Sequence, residues 1–359
     1  MSNKPVRNPT VLDVAERAGV SVGTVSNVLN GRGNVSVIRR ERVQVAMRDL
    51  GFLPNGVAQS LRRQQSRVIG LCTPQTTSAY FAALLEYFEE VAANEGYAVI
   101  QVLSHGDPAL ELNRVEALLG RNIDGLILIP TYDGSATLDL LALRGTPTVI
   151  VDRVTSDERF DTVAIDDRKA MRQATAHLIG LGHRRLLYLV RDTRLPTTQL
   201  RIQGYIEAGV QSNYKVEAAV VQHDPDEAAF EQQVSDIMAS SQPPTAIVAS
   251  NSMVALSLVQ ILQKLKIRWP DDVTLLAFDE PVWAPILSPP LSVVRHPTQR
   301  IALEAWNRLL ARTRSPGLRP KRITLEAELV ATAAIGSPKR PAAHRALGRS
   351  LDDTFPPTV

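Results

Sequence analysis

The run Thr10-Val11-Leu12-Asp13-Val14-Ala15-Glu16-Arg17-Ala18-Gly19-Val20-Ser21-Val22-Gly23-Thr24-Val25-Ser26-Asn27-Val28-Leu29-Asn30 decides how the first part of this chain folds. Thr10 followed by Asp13 reads as a helix N-cap with an acidic partner three residues on, and Val11, Leu12, Val14, Ala15 and Ala18 supply an apolar face. Gly19 allows the positive φ that ends a helix, Val20 turns inward, and Ser21 caps a second helix over residues 22 to about 29. Two short helices joined by a Gly-containing turn of about three residues form a helix-turn-helix unit, whose second helix presents its N-terminal residues to the major groove of DNA. Val25 and Leu29 share the inward face, which leaves Val22, Gly23, Ser26 and Asn27 pointing outward. Asn pairs bidentately with adenine, Val touches a thymine methyl and Ser bonds to phosphate or base, whereas Gly23 offers only close approach or a water-mediated contact.

Beyond Gly31-Arg32-Gly33-Asn34, a third helix over residues 37–50 places Val43, Ala46, Met47 and Leu50 on one face and closes a three-helix core. The segment Gly56-Val57-Ala58-Gln59-Ser60-Leu61-Arg62-Arg63 has little apolar surface with which to hold a helix alone. Its spacing fits a plain linker, and it also fits a wedge in which Leu61 enters the minor groove while arginines hold the phosphates. Charge follows the same division. Residues 1–63 hold ten Lys/Arg against four Asp/Glu, a net of +6, while the rest of the chain holds 30 against 33, a net of −3. A solvated basic face would explain the charge by itself, but the helical pattern beneath it points to a polyanion partner.

From residue 66 onward, short β-branched runs alternate with amphipathic helices. Strands are expected at 68–72, 98–103, 125–129, 148–151, 186–190, 246–249 and 274–278, which is the pattern of doubly wound parallel sheet. More than 260 residues are too many for one such sheet, so two α/β lobes are expected, with a ligand cleft beyond the carboxyl ends of their strands. No apolar run is long enough to span a bilayer or serve as a secretion signal. The single Cys72 excludes an intramolecular disulfide and a redox C-x-x-C and suits a reducing cytoplasm. Six scattered His residues make a metal site improbable, and His177 reads as an ordinary helix residue. Gly19-Val20-Ser21-Val22-Gly23 matches the nucleophile-elbow spelling but follows a helix instead of a strand. Gly180-Leu181-Gly182 lacks the third glycine of a dinucleotide fingerprint. A solute-binding protein without a DNA role and a hydrolase or dehydrogenase on the α/β sheet are the competing classes; the basic N-terminal reader opposes the first and the lack of a catalytic constellation the second.

The motifs Asp13-Val14-Ala15-Glu16-Arg17-Ala18-Gly19-Val20-Ser21, Thr24-Val25-Ser26-Asn27-Val28-Leu29-Asn30, Pro54-Asn55 and Val57-Ala58-Gln59-Ser60-Leu61 closely resemble the lactose/galactose repressor family. The likeness continues through Asn122-Ile123-Asp124-Gly125-Leu126-Ile127, Val151-Asp152-Arg153, His177-Leu178-Ile179-Gly180-Leu181-Gly182-His183-Arg184-Arg185, Arg201-Ile202-Gln203-Gly204-Tyr205 and Ala277-Phe278-Asp279-Glu280, so that it spans about residues 10–335. It implies a helix-turn-helix domain joined to a two-lobed domain of the periplasmic-binding-protein fold. The domains are then 1–54 (DNA-binding), 55–65 (hinge helix and linker), 66–335 (effector binding and dimerisation) and a disordered tail at 336–359. Lobe one is placed at roughly 66–163 plus 293–321.

The resemblance makes Val22, Gly23 and Asn27 the main base readers, with Thr10, Ser21, Thr24, Ser26, Asn30 and Asn34 anchoring the DNA backbone and Asn55, Ala58 and Leu61 completing the contacts from the hinge. Gly23 departs from relatives, which usually carry a larger side chain there. The effector positions implied are Asp152, Arg201, Asn251 and Asp279, with Tyr80, Trp283 and His296 as weaker candidates. Carboxylates and an amide suit vicinal hydroxyls, and an arginine forks across two oxygens. Asn251 is followed by Ser252 where relatives usually have Asp. The expectation is therefore a homodimeric, cytoplasmic repressor, with no enzymatic activity, cofactor or membrane association. Its partners are a pseudo-palindromic double-stranded DNA operator and a sugar, sugar acid, polyol or nucleoside effector. No leucine heptad is visible at the C-terminus to build tetramers.

Overall fold

The computed structural model describes residues 9–30, 33–53 and 65–338. The chain divides between Ser66 and Arg67 into two units. The first contains α1 (Val11–Ala18), α2 (Val22–Asn30) and α3 (Val37–Leu50). At the start of α1, Asp13 N–H donates to Thr10 Oγ1 at 3.4 Å and Thr10 N–H donates to Asp13 Oδ2 at 2.6 Å, the reciprocal capping box expected of that pair. Gly19 ends α1 at φ 63°, and Ser21 Oγ accepts from Thr24 N–H at 3.2 Å to open α2. Val14, Ala15, Ala18, Val25, Val43 and Ala46 form the core, with Met47 and Leu50 packed at its edge. Phe52, which the helical pattern leaves out, joins that core: after Gly51 takes φ 62°, Phe52 N–H bonds back to Met47 O at 2.9 Å and the ring folds over the helices. Burying each such Val or Phe contributes about 1.5–3 kcal/mol, which holds together helices too short to persist separately.

The second unit is α/β. One sheet contains β1 (Val68–Thr73), β2 (Ala98–Leu103), β3 (Gly125–Leu128), β4 (Thr148–Val151), β5 (Asp161–Ile165) and β11 (Arg322–Leu325), in the order β11-β5-β4-β3-β1-β2. The other contains β6 (Arg185–Val190), β7 (Glu217–Gln222), β8 (Ala246–Ala249), β9 (Thr274–Phe278), β10 (Ser292–Arg295) and β12 (Glu328–Val330), in the order β12-β10-β9-β8-β6-β7. All pairings are parallel except β10 with β12. In each lobe the first strand lies between the second and third, which creates a crevice beyond the carboxyl ends of the strands. Helices α4 (Ala79–Asn94), α5 (Pro108–Leu119) and α6 (Ser135–Arg144) connect strands of lobe one, and α7 (Asp167–Gly180) leads into lobe two. There α8 (Pro196–Val210), α9 (Glu227–Ala239) and α10 (Ser252–Lys264) connect the strands. Finally α11 (Thr298–Arg314) returns to pack on α4 and the first sheet.

The seven expected strands are present, and β5, β7, β10, β11 and β12 are additional. The lobe boundaries also move. Residues 292–295 are β10 of the second sheet, where Val293 pairs with Ala277, and residues 322–325 are β11 of the first, where Ile323 pairs with Val163. The chain therefore crosses between lobes at strand ends, near residues 166, 296 and 326. Asp161 fastens this arrangement: fully buried, it accepts from Arg308 Nη2 at 2.7 Å, from Lys321 N–H at 2.7 Å and from Arg312 Nε. Order also passes the expected domain end at 335, because Gly336 O accepts from Thr274 Oγ1 at 3.2 Å and stands 2.7 Å from Nε2 of the buried His183.

Gly204 explains one of the family-like motifs. It sits where α8 crosses α7, and a Cβ there would collide with the backbone carbonyl of Arg168. Backbone cannot yield as a side chain does. Gly204→Ala is expected to cost about 1–3 kcal/mol by overpacking; a urea denaturation midpoint unchanged from the parent would refute this account of the α7–α8 contact.

Candidate functional site

On the first unit, Ser21, Val22, Gly23, Asn27 and Asn34 are exposed, or nearly so, and Thr24, Ser26 and Asn30 border the half-buried flank of the same helix. Val22, Gly23 and Asn27 therefore form an open surface at the start of α2, while Val25 is sealed in the core. A side chain at residue 23 would meet only Ser21 Oγ, at 3.7 Å, so the glycine there is no requirement of the fold. Several hydroxyl and amide groups also shape the helices. Thr10 belongs to the capping box, Ser21 Oγ lies 3.0 Å from Thr24 Oγ1, and Asn30 Nδ2 donates to Ser26 O at 2.7 Å. Asn55, Ala58 and Leu61 lie outside the described residues.

On the second unit, the two lobes present matching carboxylates. Asp152 directly follows β4 and Asp279 directly follows β9, the fourth strand of each lobe. Both residues have φ 68°. Each donates its N–H to the next strand, Asp152 to Val163 O at 3.0 Å and Asp279 to Val294 O at 3.1 Å. Left-handed backbone strains most side chains, and Asp and Asn are the residues that tolerate it. Both residues are buried, at 9% and 6% exposure.

Around them lies a cluster in which nearly every group is polar and out of water. Arg201, on the first turns of α8, donates from Nε to Asp167 Oδ1 at 2.6 Å and from Nη1 to Ser250 O at 3.1 Å. Its guanidinium stacks on the Phe278 ring at 3.7 Å. Burial alone would disfavour the Arg201 charge, but Asp167 and the neighbouring Tyr188, Asp279 and Asp152 hold its pKa above the ordinary arginine value. Burial pushes the Asp167 carboxyl up while Arg201 pulls it down, leaving it raised overall. His296 Nδ1 stands 3.0 Å from Asp279 Oδ1, and its ring packs on Tyr80 at 4.5 Å and on Phe278 at 5.5 Å. Burial, followed by the Asp152 carboxylate, raises the Tyr80 phenol well above its usual pKa. Asp167 Oδ2 and both ring nitrogens of His296 are buried without an aligned hydrogen bond among the described residues. Such groups mark a place where ligand or ordered water completes the bonding.

Five of the seven expected effector positions thus converge: Tyr80, Asp152, Arg201, Asp279 and His296. The other two are used differently. Asn251 is the N-cap of α10, its Oδ1 accepting from the N–H groups of Met253 and Val254 at 3.0 Å each, so that only its amide NH₂ is left for a ligand. Trp283 packs half-buried against the apolar core of lobe two that includes Ala277, Ala284 and Leu291. A cavity of about 750 Å³ opens between the loops after β3 and β4, lined by Arg153, the residue after Asp152, but by none of the five converging residues, with Pro196 of lobe two at its edge. The lobes also meet at its rim, where the Arg194 guanidinium lies 4.1 Å from the Tyr132 ring. Arg153 and Asp167 were missing from the sequence expectation. Arg153 stands next to Asp152 in one of the motifs already noted, but nothing in the sequence joins Asp167 to Arg201 across 34 residues.

Two family models match the chain: bacterial regulatory proteins of the lacI family over residues 10–55, and a periplasmic binding protein-like domain over residues 175–333. The HTH-type transcriptional repressor PurR of Photobacterium profundum is 29% identical over 334 residues, which cover 89% of this chain and 97% of that protein. The HTH-type transcriptional regulator GalR of Escherichia coli is 28% identical, covering 94% and 98% respectively. Among solved structures, the lac repressor dimer bound to operator and the anti-inducer ONPF matches with TM-score 0.81 at 24% identity, over 92% of this chain and 100% of that one. The transcriptional regulator CelR in complex with cellobiose matches with TM-score 0.63 at 26% identity, over 91% and 99%.

The Arg201–Asp167 pair makes a prediction about stability. Removing one partner strands the other in a dry site, so Arg201→Met should destabilise the protein by about 3–5 kcal/mol, while Arg201→Met with Asp167→Leu should recover most of that loss. Equal destabilisation by the single and double variants in urea titrations would show that the pair is not the source of the effect.

Proposed function

The chain belongs to the lactose/galactose repressor family of DNA-binding transcriptional regulators, and from that premise we propose that it is a repressor whose operator affinity is set by a small polyhydroxylated ligand held between its two lobes. The observation that carries this reading is the buried cluster of Asp152, Asp279, Asp167, Arg201 and His296 at the carboxyl ends of the strands of both lobes. Carboxylates accept from vicinal hydroxyls, the imidazole adds a donor or acceptor, and the unbonded Asp167 Oδ2 is an acceptor awaiting a partner. The division of labour follows the domains at 1–54, 55–65 and 66–335, the last of them running on through the contact of Gly336 with Thr274. Binding, and no turnover, is the role assigned to the cleft; no cofactor is needed.

The mechanism is thermodynamic linkage. A ligand that favours one arrangement of the lobes changes the placement of the two hinge segments in a homodimer, and the operator selects the arrangement in which those segments order. Asn55, Ala58 and Leu61 belong to that hinge, with Leu61 as the side chain inserted at the operator centre. The start of α2 reads the half-site through Val22, Gly23 and Asn27. Which way the ligand drives binding follows from the state it prefers. Action on chromosomal DNA places the protein in the cytoplasm, and among the described residues no helix is long and apolar enough to cross a membrane.

The central experiment is binding of the purified protein to its own promoter fragment across a salt series, since phosphate contacts make affinity fall as salt rises. Absence of salt-sensitive binding would remove the reading. Leu61→Ala is expected to weaken specific binding far more than non-specific binding, and equal losses in both would exclude the wedge. Asp152→Asn keeps a residue type that tolerates the left-handed backbone while removing the charge. It should abolish the response of operator binding to ligand; an unaltered response would take Asp152 out of the site.

A further inference from the structure

The two arginines of the cleft are in opposite conditions. Arg201 is fully engaged: Nε is on Asp167, Nη1 is on Ser250 O and its face is covered by Phe278. Arg153 is just as buried, at 7% exposure against 9%, yet the hydrogen bonding of its side chain among the described residues runs only from Nη1 to Pro130 O, at 2.7 Å. No carboxylate among the described residues lies within ion-pair distance of it. Its Nε and Nη2 are neither bonded to those residues nor sealed off, and the residue lines the cavity of about 750 Å³. Burial lowers its pKa despite the more distant Asp152, Glu111 and Asp192, so the folded protein by itself disfavours this charge. A buried guanidinium without a partner is costly, and structures retain one where something else supplies the counter-charge.

Resting on the reading of the cleft as an effector site, we propose that the effector is a polyhydroxylated acid whose carboxylate docks on the Nε–Nη2 edge of Arg153 in this cavity while its hydroxyls reach the Asp152 and Asp279 carboxylates. The free edge of Arg153 presents two parallel N–H groups, the fork that matches a planar carboxylate. The other charged groups lining the cavity do not compete for that role. Arg159 is exposed and held by Asp157 at 2.6 Å and Asp139 at 2.7 Å. Asp133 accepts from Ser135 Oγ at 2.8 Å at the rim, and Glu158 is exposed. Thr131 and Ser135 line the same wall. Glu111 holds that wall from beneath, taking the Thr131 N–H at 2.6 Å.

The test uses the full chain and matched probes at equal ionic strength: galacturonate and gluconate against galactose and glucose, with glucose 6-phosphate as the phosphate arm. Thermal shift and calorimetry should show a sugar acid stabilising the wild type while its neutral counterpart does so far less. Arg153→Gln should weaken binding of that acid by about 10- to 100-fold, the loss of one charge-assisted contact, whereas Arg159→Gln, which removes a charge at the same rim, should leave it unchanged. In the ligand-free state Arg153→Gln should melt at or above the wild-type temperature, because it removes an uncompensated buried charge. A neutral sugar that binds more tightly than its acid, a phosphate ester preferred to both acids, no response to any acid, or a drop of several degrees in the melting temperature of unliganded Arg153→Gln would each overturn the proposal. Wild-type operator binding measured on the same preparations distinguishes a failure at Arg153 from a failure of the regulator role itself.

Discussion

A guanidinium withdrawn from water has to be matched by a carboxylate held at the right place, and in the second unit that requirement is met by Arg201 on α8 and Asp167 on α7. The match depends on α7 and α8 lying close enough for Gly204 to face the Arg168 carbonyl without a Cβ between them. Phe278, at the end of β9, supplies the face on which the guanidinium rests. One ion pair therefore ties the helix-packing motif, the sheet end and the cleft into a single arrangement. Its own desolvation is unfavourable, and a buried pair of this kind fixes geometry more than it adds stability.

The cleft inherits a symmetry from the sheets. Two lobes with the same strand order place Asp152 and Asp279 at the same point, each on left-handed backbone after a fourth strand. Strained positions of this sort cluster at sites where function requires the side chain to point one way. Between them, the open donor edge of Arg153 and the unbonded acceptor of Asp167 leave bonding capacity of both signs for a ligand. The first unit is organised differently. Its small core leaves the start of α2 open, with Val22 and Asn27 flanking a glycine that the fold itself does not demand.

Much of this was legible in the sequence. The capping box, the positive-φ glycine at residue 19 and the apolar spacing located all three N-terminal helices, because those signals act within a few residues. Seven strands announced themselves as β-branched runs; β11 and β12 did not, since Arg322–Leu325 and Glu328–Val330 are short edges, buried only at Leu325, that become strands only beside β5 and β10. The same cause moved the lobe boundary at β11, whereas β10 is buried between β9 and β12. Asp152, Arg201 and Asp279 were identified through resemblance to relatives, and the structure brings them together. Asn251 caps a helix and Trp283 packs half-buried on a core, positions set by their local surroundings. Asp167 was invisible because its meaning lies entirely in a partner 34 residues away.

The central claim is that the cleft and the DNA reader share one equilibrium, and linkage makes that claim quantitative. The factor by which a bound ligand changes operator affinity must equal the factor by which bound operator changes ligand affinity. Titrating the ligand calorimetrically into the protein with and without its operator, at one salt concentration, measures this directly. The account predicts a shift in ligand affinity equal in size to the ligand's effect on operator binding. A ligand affinity indifferent to operator, in a protein whose operator binding nonetheless responds to that ligand, would contradict it.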